Sequence, residues 1–427
     1  MTSGIILAVF ILGLIIRIPV FFALMISSSV YILAFSDIPI TLLAHRMCGS
    51  LQRFPLLALP LYILAAEIMN KGKISQEIFD FARDLLGHIS GSLGHVNVVV
   101  SMIFAGMSGS ITADTAGLGA VEIPAMTKAG FSKEFSVGVT GASSLIGPIV
   151  PPSIHMILYG MIAEQSVGRL FLGGAIPGVL MGITLMIMVY LIAKRKKFPK
   201  YDHMEPFSKI WSSFKKAFPA TLTPIIILGG IVTGIFTPTE AAVVAVLYAY
   251  FLSFIVYKTL KIREIFPMFV DVACVTAVIL AIMGAASVFG WVVTLENIPN
   301  HIRDLVMAFT DEKWVVLVLL IFTFLIAGCF FDIGAILLVL TPMVVPLVQA
   351  YGIDLIHFGV LEVLVLCIGF LTPPFGVGIF ILAKIADMPI HRVILSMVPF
   401  YIPLFIVVVL IAVFPNFVLF LPNIVMK

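Results

Sequence analysis

Apolar runs long enough to cross a bilayer recur from Gly4 to Pro415, and a single extended polar stretch interrupts them. Lipid offers no partner to backbone N–H and C=O groups, so a spanning segment closes its hydrogen bonds inside a helix or a shut barrel. A barrel needs short alternating strands, and no such alternation appears. The expected class is an all-α polytopic membrane protein. Charge agrees: 11% of the 427 residues are charged and 61% are hydrophobic, against about 25% charged in soluble domains. The net charge of +3 gives no basis for nucleic-acid binding. Met1-Thr2-Ser3-Gly4 lacks the basic region and cleavage site of a signal peptide, so the first apolar run is expected to remain as a helix. Cys48, Cys274, Cys329 and Cys367 show no CxxC spacing, which argues against a transition-metal site.

Basic residues orient the helices. The polar stretch runs from Lys194-Arg195-Lys196-Lys197 through Lys200, Lys209, Lys215 and Lys216, and the positive-inside rule puts it in the cytoplasm. It is expected to be a linker, 194–218, between two halves. Crossings are expected at 3–17, 20–35, 55–69, 135–163 and 170–193, then at 219–235, 239–257, 268–288, 356–386 and 393–414. Five per half is odd, so the second half is inverted and both termini fall outside. Lys71 and Lys73, Lys128 and Lys133, Lys258-Lys261-Arg263 and Lys384-Arg392 then lie inside; Arg169, Arg303 and Lys313 are the exceptions.

Local sequence repeats between the halves. Arg83-Asp84-Leu85 lies on an amphipathic stretch, 74–89, and Arg303-Asp304-Leu305 on another, 298–309. Asp114 precedes Pro124 as Asp332 precedes Pro342, and Gly130 precedes Pro152 as Gly352 precedes Pro374. Pro151-Pro152 and Pro373-Pro374 are the two Pro-Pro pairs of the chain, and offsets between halves stay within 218 to 222. The expected architecture is two inverted-topology repeats, 1–193 and 219–427, an arrangement common in secondary transporters.

Each half holds two kinds of broken segment. One is a candidate re-entrant helical hairpin, 92–128 or 314–350, turning at Gly106–Asp114 or Gly328–Gly334. The other is a discontinuous transmembrane helix, 135–163 or 356–386, interrupted where Pro removes a donor and clashes with the preceding turn. Non-helical backbone at membrane depth survives where it is buried or lines a cavity. There its carbonyls, with Ser, Thr and Asp oxygens, can replace the hydration shell of Na⁺, and freed helix N-termini suit a carboxylate. The expected Na⁺ ligands are Ser108, Ser110, Asp114, Ser143 and Gly147 in the first half, and Gly328, Asp332, Gly334, Gly369 and Thr372 in the second. The expected substrate residues are Ser144, Pro148, Ser153, His155, Pro373 and Gly376. An intramembrane carboxylate costs ~2.5–3.5 kcal/mol even on lenient insertion scales, which singles out Asp114 and Asp332. Glu67, Glu122, Glu240 and Glu362 are further apolar-flanked acids, while His45, Arg46, Arg53 and the tryptophans 211, 291 and 314 suit an interface.

Three stretches carry a resemblance: Pro60-Leu61-Tyr62-Ile63-Leu64-Ala65-Ala66-Glu67-Ile68-Met69, Phe104-Ala105-Gly106-Met107-Ser108-Gly109-Ser110 with Ala113-Asp114, and Ala142-Ser143-Ser144-Leu145-Ile146-Gly147-Pro148-Ile149-Val150-Pro151-Pro152-Ser153-Ile154. Together with Asp332 and Gly369-Phe370-Leu371-Thr372-Pro373-Pro374-Phe375-Gly376 they make the chain, essentially end to end, resemble the large membrane subunit of TRAP (tripartite ATP-independent periplasmic) transporters. The resemblance implies an elevator-type fold of the ion transporter superfamily, in a bacterial inner membrane. It implies import of an organic acid driven by Na⁺, with no other cofactor. The implied partners are a periplasmic substrate-binding protein and a separate small four-helix subunit. It assigns Ser108, Ser110, Asp114 and Asp332 with Thr372 to sodium sites, and 74–89 and 298–309 to arm helices. Overall likeness suggests sialic acid, with a C4-dicarboxylate as the alternative.

Rival classes are weighed on the same residues. No GxxxxGK[ST] loop exists, which argues against ATP hydrolysis. A binding-protein-independent Na⁺/dicarboxylate symporter would share the architecture. A channel usually builds its pore on an oligomeric axis rather than on internal breaks. An intramembrane aspartyl enzyme fits the Gly- and Pro-rich tips poorly, so no enzymatic activity is expected.

Overall fold

A computed structural model describes residues 2–16, 18–72, 74–196, 198 and 204–426; Lys73, Lys197 and Lys200, used above to orient the chain, lie outside them. The described residues form helices joined by short turns, with no strand among them. Seven of these helices are long and apolar enough to cross a membrane, from Val167–Lys196 to Ile390–Val413. The chain is a multi-pass, all-α membrane protein.

Helix limits depart from the expected crossings where polar ends continue a helix beyond the apolar run. The crossing expected at 170–193 is Val167–Lys196, and the one expected at 219–235 is Phe207–Val232. Most of the expected linker is therefore helical. Its basic residues stay helical because an apolar stripe on the same helix is packed: Phe214 meets Phe81 of Ile74–Leu86 at 5.4 Å, and Lys209 reaches Asp84 at 3.9 Å. Similarly, 268–288 extends to the 34-residue Ile262–Leu295. Thr41–Leu51 and Asn416–Val425 are helices where none was expected; both are too short and mixed in character for a spanning signal. The four cysteines are free thiols.

Helices pack in two groups. Ile262–Leu295 lies against Val20–Phe35, Thr41–Leu51 and Ala58–Lys71, and the last of these also packs on Pro238–Phe251. In the other group the halves interdigitate: Lys133–Ser144 packs on Ile390–Val413, and Val167–Lys196 on Leu355–Phe370. Amphipathic Ile74–Leu86 buries Ile74, Ile78 and Ala82 completely, and Ile298–Phe309 packs on Ile333–Ala350. These two helices flank the hairpins.

The halves repeat one plan. Ser92–Ser108 turns back through Ile111–Lys128, and Lys313–Phe330 turns back through Ile333–Ala350. Lys133–Ser144 breaks before Ile154–Ile162, and Leu355–Phe370 breaks before Val377–Ala386, each break holding a cis Pro-Pro bond. Gly130 and Gly352, both at positive φ, close the second arms of the hairpins.

This plan fixes the register between halves at a constant offset of 222, and it corrects the pairing of the two aspartates. Gly106 answers Gly328, Pro124 answers Pro346, Gly147 answers Gly369, and Pro152 answers Pro374. In that register Asp332 answers Ser110, and both are the extended N-cap residues of the returning arms. Asp114 lies one helical turn deeper, where the second half has Ile336.

Candidate functional site

The first hairpin turns over Gly109, whose left-handed φ of 58° ends Ser92–Ser108. A side chain there would also collide with the Pro152 carbonyl, so hairpin tip and first break touch backbone to backbone. Ser110 caps the returning arm, accepting from Ala113 N–H at 3.4 Å. Its hydroxyl also lies 3.0 Å from Thr112 Oγ1.

Asp114 opens a π-helical turn, Asp114–Leu118, within that arm. Such turns loosen the ordinary hydrogen-bond ladder and concentrate at functional sites. The aspartate is fully buried. Ser108 donates its hydroxyl to Asp114 Oδ1 at 2.5 Å, while Oδ2 has no partner among the described residues. Gly147, in the first break, stands against that oxygen; a Cβ on it would be 2.8 Å away. A buried, unsatisfied carboxylate oxygen is costly, and a cation beside it removes the cost. Ser108, Asp114 and Gly147 thus lie together.

Their neighbours are committed to other bonds. Ser143 donates to Asn97 Oδ1 at 2.7 Å and accepts from Ser101 at 3.0 Å. Asn97 in turn donates to Glu122 Oε2 at 2.6 Å and to Thr140 Oγ1 at 2.7 Å. Ser144 donates to Gly141 O and accepts from Thr115, both at 2.8 Å. Ser153 donates to Pro148 O at 2.5 Å and caps Ile154–Ile162 by accepting from Met156 N–H at 3.2 Å. The buried polar network around Asn97 went unseen in the sequence, because it forms only when three separate helices meet.

The second half is built differently. Asp332 is exposed at its tip, and its Oδ1 accepts from Gly334 N–H at 2.9 Å and Ala335 N–H at 3.4 Å. Gly328 and Gly369 let two backbones cross; a Cβ on Gly369 would stand 2.7 Å from Gly328 Cα. Thr372 donates to Ile368 O at 2.6 Å, and Gly376 fits where a Cβ would meet Phe370 O and Thr372 O at 2.7 Å. Pro373 forms the cis bond of the second break with Pro374.

A cavity of about 450 Å³ joins the two tips, within the size range of small-molecule sites. Ser108, Ser110 and Thr112 line it from the first hairpin, Asp332 and Ile333 from the second, and His155 from behind the first break. The opposite wall is Glu67 and Asn70 of Ala58–Lys71 with Val275 and Ile279 of Ile262–Leu295. Glu67 is held by Lys71 at 3.0 Å, which also reaches Asp271 at 3.2 Å and so ties these two helices together. No Lys or Arg is among the described lining residues. Of the expected substrate residues His155 alone lines the cavity; Ser144, Pro148, Ser153, Pro373 and Gly376 do not. Asn70 and Thr112 were missed. The signal for Asn70 is Gly117, whose lack of a Cβ lets the Asn70 amide approach; a Cβ would lie 2.7 Å from Nδ2.

Paired hairpins and paired broken helices around a central cavity define a transporter-like membrane fold. The solved structure of the YdaH transporter of Alcanivorax borkumensis aligns with it at a TM-score of 0.63, covering 88% of this chain and 87% of that one at 14% identity. Residues 7–417 match the family model described as "Tripartite ATP-independent periplasmic transporter, DctM component", and the chain belongs to that family. It is 43% identical to the sialic acid TRAP transporter large permease protein SiaM of Vibrio cholerae, over 95% of both chains. It is 40% identical to the sialic acid TRAP transporter permease protein SiaT of Haemophilus influenzae, over 98% of this chain and 68% of that one. A C4-dicarboxylate TRAP large permease of Pseudomonas aeruginosa is 34% identical over 93% of each. These relatives are named as permeases, not enzymes, and membership in a tripartite family implies a small membrane subunit and a periplasmic binding protein as partners.

Proposed function

We propose that this chain is the large subunit of a Na⁺-coupled importer in a bacterial inner membrane, taking an organic acid, sialic acid first, from a periplasmic binding protein. The observation that carries the reading is the cavity between the hairpin tips. It offers Asp332, with Glu67 already paired to Lys71, and no Lys or Arg in its described lining, so an organic anion finds no fixed positive charge there and metal cations entering with it supply one. Asp114 Oδ2, without a partner among the described residues and facing Gly147, is a ready place for one such ion, and Ser108, which holds the other oxygen of Asp114, lines the cavity together with Ser110. Na⁺ suits hydroxyl, carboxylate and carbonyl oxygens. A second ion is assigned to Asp332 with Thr372, at the tip and break of the second half.

The wall chemistry favours a hydroxylated sugar acid over a dicarboxylate. Ser108, Ser110, Thr112 and Asn70 supply hydroxyl and amide partners, whereas a second carboxylate would find no Lys or Arg to meet it. The hairpins and breaks then move as one body past Ala58–Lys71 and Ile262–Leu295 in an elevator cycle, with both termini periplasmic. The chain, its small subunit and its binding protein are reconstituted in proteoliposomes with an imposed Na⁺ gradient and labelled sialic acid. Accumulation that needs Na⁺ and all three proteins supports the reading. Accumulation without the binding protein makes the chain an ordinary symporter, and uptake of a C4-dicarboxylate alone moves the substrate to that class.

A further inference from the structure

A second cavity, of about 680 Å³, lies between the basic ends of Val167–Lys196 and Ile390–Val413. Its walls are Leu191 and Ile192 on one helix and Leu395, Pro399 and Ile402 on the other. Its floor is aromatic, Phe135 and Phe400 with ring centroids 6.0 Å apart. The mouth is charged differently from the walls: Arg195, Lys196 and Arg392 surround it, against the single acid Glu134. Neither Arg195 nor Arg392 has an ion-pair partner among the described residues. Leu191, Leu395 and Ile402 remain half to two-thirds exposed along the groove (52%, 66% and 56%).

We infer that this groove is a binding site for an acidic phospholipid. In a bilayer an open apolar groove between helices fills with an acyl chain, and cationic side chains at its headgroup end attract lipid phosphate at about 1 kcal/mol each. The site matches both parts of one ligand: unpaired guanidinium groups for an anionic headgroup, and an apolar channel beneath them for a chain. Lys133–Ser144, which supplies Phe135, continues directly into the first break. The lipid therefore sits on the body that carries the hairpins and breaks. The inference does not depend on which acid is transported.

The chain is purified with its small subunit, and phosphatidylglycerol retention is counted by native mass spectrometry against phosphatidylcholine of the same acyl chains. In the Arg195→Gln/Arg392→Gln variant, phosphatidylglycerol retention is expected to fall roughly thirtyfold, with phosphatidylcholine retention and melting temperature in phosphatidylcholine nanodiscs unchanged. Leu395→Trp, which fills the channel and keeps the charges, is expected to lower retention of phosphatidylglycerol as well. Equal retention by the charge variant and the parent overturns the site. Displacement of the lipid by soluble glycerol phosphate makes it an anion site instead, and lipid binding seen only after loss of the small subunit makes the groove a subunit interface.

Discussion

Ser108 and Asp114 meet across the turn of the first hairpin at 2.5 Å, and that bond leaves Asp114 Oδ2 buried with no partner among the described residues. Asp114→Asn keeps the shape and removes the charge. A charge-assisted contact is worth about 1.5–3 kcal/mol, so the Na⁺ concentration for half-maximal uptake is expected to rise at least tenfold while the melting temperature holds. Unchanged sodium dependence in a folded variant would remove Asp114 from the coupling machinery.

Gly147→Ala tests the same oxygen from the opposite side. The new methyl would stand 2.8 Å from Asp114 Oδ2, inside the space that a cation next to it needs. Uptake is expected to fall by an order of magnitude or more. The control is Gly229→Ala, where none of the described residues lies within 4 Å of the added Cβ and transport should persist. Similar uptake in both variants would refute a role for the close approach at Gly147.

Much of this geometry was legible. Pro-Pro pairs announce helix breaks because Pro cannot continue the ladder, and Gly-rich tips between short apolar runs announce hairpins. Register was not legible. Asp114 and Asp332 each precede a proline by the same distance, and that match hid the pairing of Ser110 with Asp332, which the N-cap geometry reveals. The tertiary links were hidden for a different reason: Asn97, Glu122 and Thr140 lie on separate helices with no periodic signal. Thr41–Leu51 escaped notice because His45, Arg46 and Gly49 dilute its apolar pattern.

Asn97 holds that network together, donating to both Glu122 and Thr140 and accepting from Ser143. Asn97→Ala would leave the buried Glu122 without its hydrogen bond, since its other oxygen already lacks one among the described residues. A stability loss of about 3 kcal/mol is expected, read as a lower melting temperature in detergent. Glu122→Gln should hurt far less, because the amide oxygen can still accept from Asn97. A larger loss for the Gln variant would show that the Glu122 charge itself is needed.

Gly328 and Gly369 are expected to act through packing. A Cβ on Gly369 meets the Gly328 backbone at 2.7 Å, and backbone cannot swing aside. Gly369→Ala should therefore lower stability by about 1–3 kcal/mol, while Gly328→Ala, with its nearest contact at 3.0 Å, should cost less. Thermal unfolding of the two variants checks the order. A stable Gly369→Ala protein that has lost only sodium dependence would restore this glycine as an ion ligand.

Asp332 carries two roles that substitution can separate. Its Oδ1 caps Ile333–Ala350 by accepting from the Gly334 and Ala335 amides, and its carboxylate also faces the cavity. Asn is as good an N-cap as Asp, and loss of the cap to Ala costs about 1 kcal/mol. Asp332→Asn should therefore melt like the parent, and Asp332→Ala should melt lower. Sodium dependence should weaken in both variants, because both remove the cavity-facing charge. If Asp332→Asn transports with the parent's sodium dependence while Asp332→Ala only loses stability, the residue is a cap and nothing more, and the second ion belongs elsewhere.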